Sequence, residues 1–347
     1  MYKSIRIQNF RGLTDLRIDD LGRVNLIVGA NNVGKTSLLE ALWLFQDPGN
    51  PSITIDLANA RGYEPLPRTA EVLWHGLFWS MEIDRIIAIE GITTKGESTK
   101  LEVLLAQEGT ETAVLNGQPF FVPTTLRFRF HPGSNGQLVE TAIALVGPGK
   151  VRPSQPAEFG RVGAYLPSGK RLAIEVVAGR FTSAQDSGQG QLLVRSLQGL
   201  DPRLTGLSLG YITEEERPFI RAHSTDSTRP MLLNLLGGGV MRLSEALLSI
   251  LNARNGLALI DEIEDGIYAR SLSAAWRAID NASRQATVQV FATTHSWECV
   301  SAAVEAFADD PEEFRLHRLE REGEKVRVVT YDHEVALAAI TGHVEVR

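Results

Sequence analysis

The chain has 347 residues, 43% hydrophobic and 22% charged, with 31 Gly and 15 Pro, values of a globular protein and not of a disordered or fibrous one. A net charge of −7 excludes a surface that is positive all over, so any nucleic-acid contact has to be a local patch. Cys299 is the single cysteine and cannot close an internal disulfide; the start lacks a signal-peptide core and no run is apolar enough to span a bilayer, so the expected setting is the cytoplasm, with no membrane.

Residues 2–10 alternate apolar and polar side chains and 24–28 form a short apolar run ending in Gly29, so both predict strands. The spacing of Leu38, Leu39 and Leu42 predicts a helix over 36–45, ended by Pro48 and Pro51, and the Pro, Gly and Asn of 47–68 predict a loop. Residues 70–78 have helical spacing. Short runs at 83–89, 101–105, 126–130, 138–146 and 162–166, separated by turn residues, predict an antiparallel β insertion. A helix over 189–200 is broken at Asp201-Pro202 before a strand near 207–211. Helices over 241–251 and 267–283 then alternate with buried strands at 257–260 and 288–292, the order of a parallel sheet. The expected division is 1–68, an N-terminal half of the core; 69–168, a β-rich lobe; 169–230, a helical insertion facing a partner; and 231–347, the C-terminal half.

Gly29, Ala30, Asn31, Asn32, Val33, Gly34, Lys35 and Thr36, followed by Ser37, match G-x-x-x-x-G-K-[ST] between a predicted strand and a predicted helix. Glycines let backbone N–H groups converge on phosphate oxygens, the helix adds its positive end, Lys35 reaches the outer phosphates and Thr36 offers a hydroxyl to magnesium. The expected ligands are therefore ATP and Mg2+.

Four apolar residues precede Asp261 and Glu262, which places both acids at the carboxyl end of a buried strand, where α/β sheets hold ligands. Asp261 is the candidate metal residue and Glu262 the candidate for activating water. His295 ends the next apolar strand and can bond the terminal phosphate or the attacking water. Gly237, Gly238 and Gly239 open another helix, a second anion site that can face the nucleotide of a second copy, making two chains sandwich two nucleotides.

Together these motifs resemble the ABC-type ATPases of the RecF and chromosome-maintenance kind, and more closely the prokaryotic AAA-type ABC ATPases of the OLD-like group. The resemblance rests on Ile7-Gln8-Asn9-Phe10-Arg11-Gly12, the phosphate loop, residues 236–242, residues 260–266, and Ala292-Thr293-Thr294-His295-Ser296. It implies a P-loop NTPase of ABC-ATPase type: a mixed, mostly parallel α/β core with an antiparallel β insertion and a small helical one. It also implies that residues 237–242, Arg242 included, form the signature loop, that Asp265 and Gly266 cross the dimer interface, that His295 is the switch histidine, and that Asn9 and Arg11 lie near the nucleotide. The chain departs from the pattern at Gly237, where a serine is usual, and in the glutamine linking magnesium to the inserted lobe, for which Gln185 is the candidate. OLD-like proteins often continue into a Toprim nuclease; the stretch after His295 is too short for one, so an ATPase acting on a separate effector is expected, by association in defence against phage.

Three functions stay open on the sequence. The first is an ATP-driven switch that closes as a homodimer or higher assembly. The second is a RecF-like DNA-binding repair ATPase using Arg127, Arg129, Lys150, Arg152, Lys170 and Arg171. The third, a transporter ATPase, lacks any recognisable coupling segment.

Overall fold

The computed structural model describes residues 1–107, 114–115, 118–119, 124–133, 136–147, 149–157, 163–212, 217–342 and 345. The start of the strand expected over 162–166 lies outside them.

Two sheets and two cores organise the molecule. β1 (Tyr2–Phe10) and β2 (Leu13–Ile18) form a hairpin whose free edge continues antiparallel through β4 (Ile87–Thr93), β5 (Ser98–Gln107), β8 (Thr124–His131), β9 (Val139–Gly147) and β10 (Lys150–Pro153). A small hairpin, β6 (Val114–Leu115) with β7 (Gln118–Pro119), stands apart from this sheet. The second sheet runs β11 (Ala164–Leu166), β15 (Leu257–Ile260), β16 (Gln289–Thr293), β3 (Val24–Gly29), β17 (Phe314–Glu322) and β18 (Lys325–Tyr331), with only the last pairing antiparallel.

The two-residue period of these strands shares their side chains between the cores. Leu257, Leu259, Phe291 and Ile27 face the antiparallel sheet and helix α1 (Lys35–Gln46), whose Leu38, Leu39 and Leu42 have no exposed surface. Burial of each such leucine contributes about 1.5–3 kcal/mol. Ala258, Ile260, Val290, Ala292, Val24, Leu26 and Val28 face the other way, against helices α4 (Ile174–Asp186), α5 (Gly190–Gln198), α6 (Gly238–Asn252), α7 (Leu272–Ala286) and α8 (Trp297–Ala306). Strands buried on both faces read as continuous apolar runs, as β3 and β15 do. Helix α9 (His333–Thr341) closes the C-terminal side.

The structure departs from the expected elements in five places. Residues 47–68 hold a helix, α2 (Ile53–Ala60), after the turn at Pro48 and Pro51, and the helical spacing over 70–78 yields only the short α3 (Ala70–Trp74) followed by a 3-10 turn. The strand at 164–166 belongs to the parallel sheet beside β15, not to the β lobe, because its buried face serves the central core. The β lobe is also continuous with β1 and β2, one sheet instead of a separate layer. Residues 169–230 are not simply helical: β12 (Leu204–Ile212), β13 (Arg217–Ser224) and β14 (Met231–Leu232) form a three-stranded antiparallel sheet that follows α4 and α5.

Candidate functional site

The phosphate loop leaves β3 at Gly29 and enters α1 at Lys35, so it sits at the carboxyl end of the central strand. Gly29 and Gly34 have φ of 141° and 119°. A Cβ at Gly29 would stand 2.6 Å from the Leu319 carbonyl oxygen of β17, and one at Gly34 would stand 2.8 Å from Leu13 of β2. The left-handed conformation demands glycine at both, and at Gly29 the main-chain clash with Leu319 demands it as well. The Lys35 ammonium donates to the carbonyls of Gly29 at 2.6 Å and Ala30 at 3.0 Å, arching over the loop. Burial pulls its pKa down, against the opposing pull of Asp261, Glu262 and Glu264, which places three carboxylates in its field.

Asp261, 2% exposed, is the point on which the neighbouring elements converge. Its Oδ2 accepts from the Thr36 hydroxyl of α1 at 3.0 Å and from the Ser168 hydroxyl, just past β11, at 3.3 Å. Oδ1 accepts from the Thr293 hydroxyl, at the end of β16, at 2.6 Å. The Asp261 N–H donates to the Leu166 carbonyl at 2.9 Å. Three strand ends and the first turn of α1 thus share one carboxylate. The donors are hard oxygens, the set that magnesium takes together with water and phosphate. Among the described residues no group of three or more His, Cys, Asp and Glu could hold a metal ion by itself. The site fits an ion that arrives with a nucleotide: Thr36 and Asp261 would hold it, and Ser168 stands against the same oxygen.

Glu262 follows with φ 48°, which swings its carboxylate, 43% exposed, out of the strand line. Burial, then the charge of Asp261, raises its pKa. The Glu262 N–H donates to the Thr293 hydroxyl at 2.8 Å and the Ile263 N–H to the Thr293 carbonyl at 3.1 Å, so the loops after β15 and β16 are tied together. His295, 57% exposed, stands with Nδ1 3.7 Å from Glu262 and 3.4 Å from Glu264.

Gly237 (φ 107°) leads into α6, whose first residues, Gly238 and Gly239, pack directly on the loop after β15. A Cβ at Gly239 would stand 2.8 Å from the Gly266 carbonyl oxygen, and one at Gly266 would stand 3.3 Å from the Gly238 carbonyl carbon.

A family model described as an AAA ATPase domain matches residues 1–103. Among curated relatives, an uncharacterized protein of Methanocaldococcus jannaschii is 51% identical over 45 residues, and the match spans 20% of that protein's length and 13% of this chain. A Helicobacter pylori protein named ATP/GTP phosphatase is 22% identical over 86% of both chains. Two solved Smc head domains superpose along almost the whole chain. One, bound to the C-winged helix domain of ScpA, has a TM-score of 0.50 at 11% identity, covering 96% of this chain and 98% of its own. The other, with an extended coiled coil and bound to the C-terminal domain of ScpA from Pyrococcus furiosus, has a TM-score of 0.51 at 10% identity, covering 99% of each. The fold is that of an ABC-type ATPase head.

Within that fold the expected site residues fall into two groups. The phosphate loop, Thr36, Asp261, Glu262 and His295 come together, and Gly238 and Gly239, next to Gly237, face Gly266. Arg242 does not join the outer surface. It is 1% exposed, and its guanidinium donates inward to the carbonyls of Pro167 (3.0 Å), Asp261 and Glu262 (3.3 Å), leaving the Gly237 turn without its charge. Asn9 spends its amide on the Ile86 carbonyl at 2.9 Å. Arg11 pairs with the buried Glu40 of α1 at 2.7 Å, an acid that Arg61 also grips twice at 2.8 Å, so its charge serves α1. Gln185 lines a separate cleft with Gly188, Gly190 and Thr205, and Ser168 is the residue that meets Asp261 instead.

Of the basic residues expected as a DNA patch, Arg127, Arg129 and Arg152 share one face of the antiparallel sheet, on β8 and β10 to either side of β9. Arg127 and Arg129 lie on β8 and Lys150 and Arg152 on β10, while Lys170 and Arg171 lie in the loop after β11. Arg129 pairs with Glu140 at 2.8 Å, Arg171 with Glu245 at 3.3 Å, and Lys170 donates to the Asn59 carbonyl.

Sequence reading passed over Ser168, Thr293, Glu264 and Glu245. For Ser168 the signal was a hydroxyl just past an apolar strand, the position that also exposed Asp261. Glu245 is buried in α6, where it accepts from the Leu172 N–H at 3.2 Å, and helical spacing alone does not distinguish it from a surface acid.

Proposed function

We propose that this chain is an ATP-hydrolysing switch whose loop 29–37 binds ATP with magnesium and whose residues 237–239 cap the nucleotide of a second copy. The observation that carries the reading is the convergence of Thr36, Ser168 and Thr293 on the carboxylate of Asp261, beside a complete phosphate loop. The naming of the Helicobacter pylori relative as an ATP/GTP phosphatase supports hydrolysis as the outcome.

Bound magnesium would supply charge neutralisation for the phosphate oxygens. Lys35 and the loop N–H groups bind and orient the phosphates. Glu262, with its raised pKa, accepts the proton of the attacking water. Closure of a homodimer or higher assembly requires the ATP state to bind the second copy more tightly than the ADP state. Such a switch would act on a separately encoded effector, as in anti-phage systems of the OLD-like group. The Smc heads bound to ScpA domains are partner-bound heads of the same fold. For the RecF-like DNA alternative the sheet face with Arg127, Arg129 and Arg152 offers a basic cluster, but Arg129 is paired with Glu140 and Arg171 with Glu245, and no group there matches the convergence on Asp261.

The test is mass in solution for wild type and Lys35→Ala with ADP, with ATP and magnesium, and with a non-hydrolysable analogue, alongside phosphate release. ATP-dependent enlargement and hydrolysis, both lost in Lys35→Ala, are expected. Hydrolysis that survives Lys35→Ala would remove the phosphate loop from the reaction.

A further inference from the structure

We propose that Glu264 is the positioning residue for His295, holding its main chain and ring at the mouth of the phosphate site; the inference rests on the ATPase reading above. Glu264 lies in the loop after β15, and its side chain is 12% exposed against 43% for Glu262, less than a third as much although both follow the same strand. One oxygen, Oε1, performs two tasks: it accepts the His295 N–H at 3.1 Å and stands 3.4 Å from His295 Nδ1. The other, Oε2, is buried and has no hydrogen-bond partner.

These contacts form the last rung of a ladder between two loops. Glu262 N–H to Thr293 Oγ1 and Ile263 N–H to the Thr293 carbonyl precede it, and Glu264 to His295 completes it. Beyond the histidine, Ser296 caps α8 by accepting the Cys299 N–H at 3.1 Å, so the main chain on both sides of His295 is fixed. The histidine backbone therefore has no slack with respect to Glu262 and Asp261.

The chemistry asks for a carboxylate at position 264. An amide oxygen would accept the His295 N–H equally well and would carry no charge to desolvate, so the backbone bond alone gives no reason to bury an acid with an orphan oxygen. The imidazole supplies that reason. A carboxylate at Nδ1 selects the ring orientation and the tautomer with Nδ1 protonated, which directs Nε2 to the opposite side as the working nitrogen. Both acids, Glu262 and Glu264, approach the same Nδ1. Glu264 is the better placed because it also holds the main chain, leaving Glu262 available to water. A simple exposed ion pair would do none of this.

The experiment uses the full chain as wild type, Glu264→Gln, Glu264→Ala, His295→Ala and the two doubles with His295→Ala. Steady-state ATP hydrolysis is measured for each, together with ring-nitrogen spectra of 15N-histidine-labelled protein without nucleotide. Glu264→Gln is isosteric and keeps the backbone acceptor, so thermal melting should match wild type even where Glu264→Ala melts early. Expected are a fall in kcat of about tenfold or more, of the size that outer-shell partners of working histidines command, with KM within about twofold. The Glu264→Gln, His295→Ala double should be no slower than His295→Ala, since a residue acting through another adds nothing once that other is gone. The ring nitrogens of His295 should shift in Glu264→Gln while those of the other histidines stay in place.

Multiplicative losses in the double, a Glu264→Gln enzyme as fast as wild type, or unmoved His295 resonances each overturn the proposal while leaving Lys35-dependent hydrolysis, and so the ATPase reading, intact. A wild type that does not hydrolyse ATP overturns the reading itself, and unmoved ring resonances would then still dispose of the Glu264 to His295 link independently.

Discussion

Asp261 shows how much one residue can organise. A carboxylate at 2% exposure is costly unless its oxygens are satisfied, and here three hydroxyls and a strand-end position satisfy it. Glu262, next in the chain, is turned outward by its left-handed backbone, and its carboxylate, unlike its N–H, makes no bond to those hydroxyls. Replacing it with glutamine keeps shape and removes the base. Glu262→Gln should lower kcat about 10²- to 10⁴-fold, the usual worth of general-base catalysis, and let the ATP-bound assembly accumulate. ATP retention and mass by light scattering measure this; if neither changes, Glu262 is not the hydrolytic residue. The sequence made this site legible because its groups lie in contiguous motifs at strand ends. It did not make Arg242 legible. Arginine is rarely buried, and nothing in a helical pattern says that its guanidinium will fold under the helix onto the Pro167 and Asp261 carbonyls.

At the scale of elements, β17 carries a buried histidine against the phosphate-loop strand. His317 Nε2 stands 3.2 Å from the Asn25 side-chain oxygen of β3, and Nδ1 stands 3.0 Å from the Thr330 hydroxyl of β18. Burial pushes its pKa from 6.5 down to about 3. Between those values the unfolded chain takes up a proton that the folded chain refuses, so stability is complete above pH 6.5 and is lost as the pH falls, by up to about 1.4 kcal/mol per unit. His317→Gln keeps a hydrogen-bonding side chain and removes the titration. Urea melts at pH 7 and pH 5 should show a smaller acid loss for the variant than for wild type, and equal losses would assign the acid sensitivity elsewhere.

The contact of α6 with the loop after β15 makes a second demand. A methyl at Gly239 would meet the Gly266 carbonyl oxygen at 2.8 Å and the Ile267 Cα at 3.2 Å, both main chain, which yields only by moving the glycine turn. Gly239→Ala should cost about 1–3 kcal/mol in a thermal or urea melt, as overpacking does, and should abolish ATP-dependent enlargement. A variant with wild-type melting and assembly would show that the turn has room to spare.

Elements were legible where a periodic pattern was long and uninterrupted, as in α1, α6 and β15. They were lost where local signals misled. The cluster of Pro48, Pro51 and Gly49 hid α2, and Gly179 with the β-branched Ile174 and Val176 masked α4. β11 failed for a different reason: three apolar residues do not say which sheet they enter, and that is decided only by pairing with β15.

The whole molecule places its nucleotide chemistry at one end of the parallel sheet and its glycine turn beside the loop after β15, so a second copy would have to close over both. Two large apolar side chains stand in that region. Leu235, two positions before Gly237, and Tyr268, two positions after Gly266, are each 67% exposed. Their loops touch, since Gly238 and Gly266 are in backbone contact. Aromatic and aliphatic anchors of this kind dominate interfaces once they are buried against a partner, and a charge there would have to be desolvated without a counter-ion. Neither residue lies in the phosphate loop, so ATP binding by a single chain should be insensitive to both. Tyr268→Asp and Leu235→Asp should therefore weaken ATP-dependent self-association by about tenfold or more while nucleotide affinity stays within about threefold. Sedimentation at several protein concentrations with magnesium and a non-hydrolysable ATP analogue measures the first, and fluorescent-nucleotide titration of dilute protein the second. Loss of both would mean that the substitutions disturb the fold of the site. If both variants associate as wild type does, closure uses a face other than the one around the Gly237 turn, and the trans role assigned to Gly237, Gly238 and Gly239 falls with it.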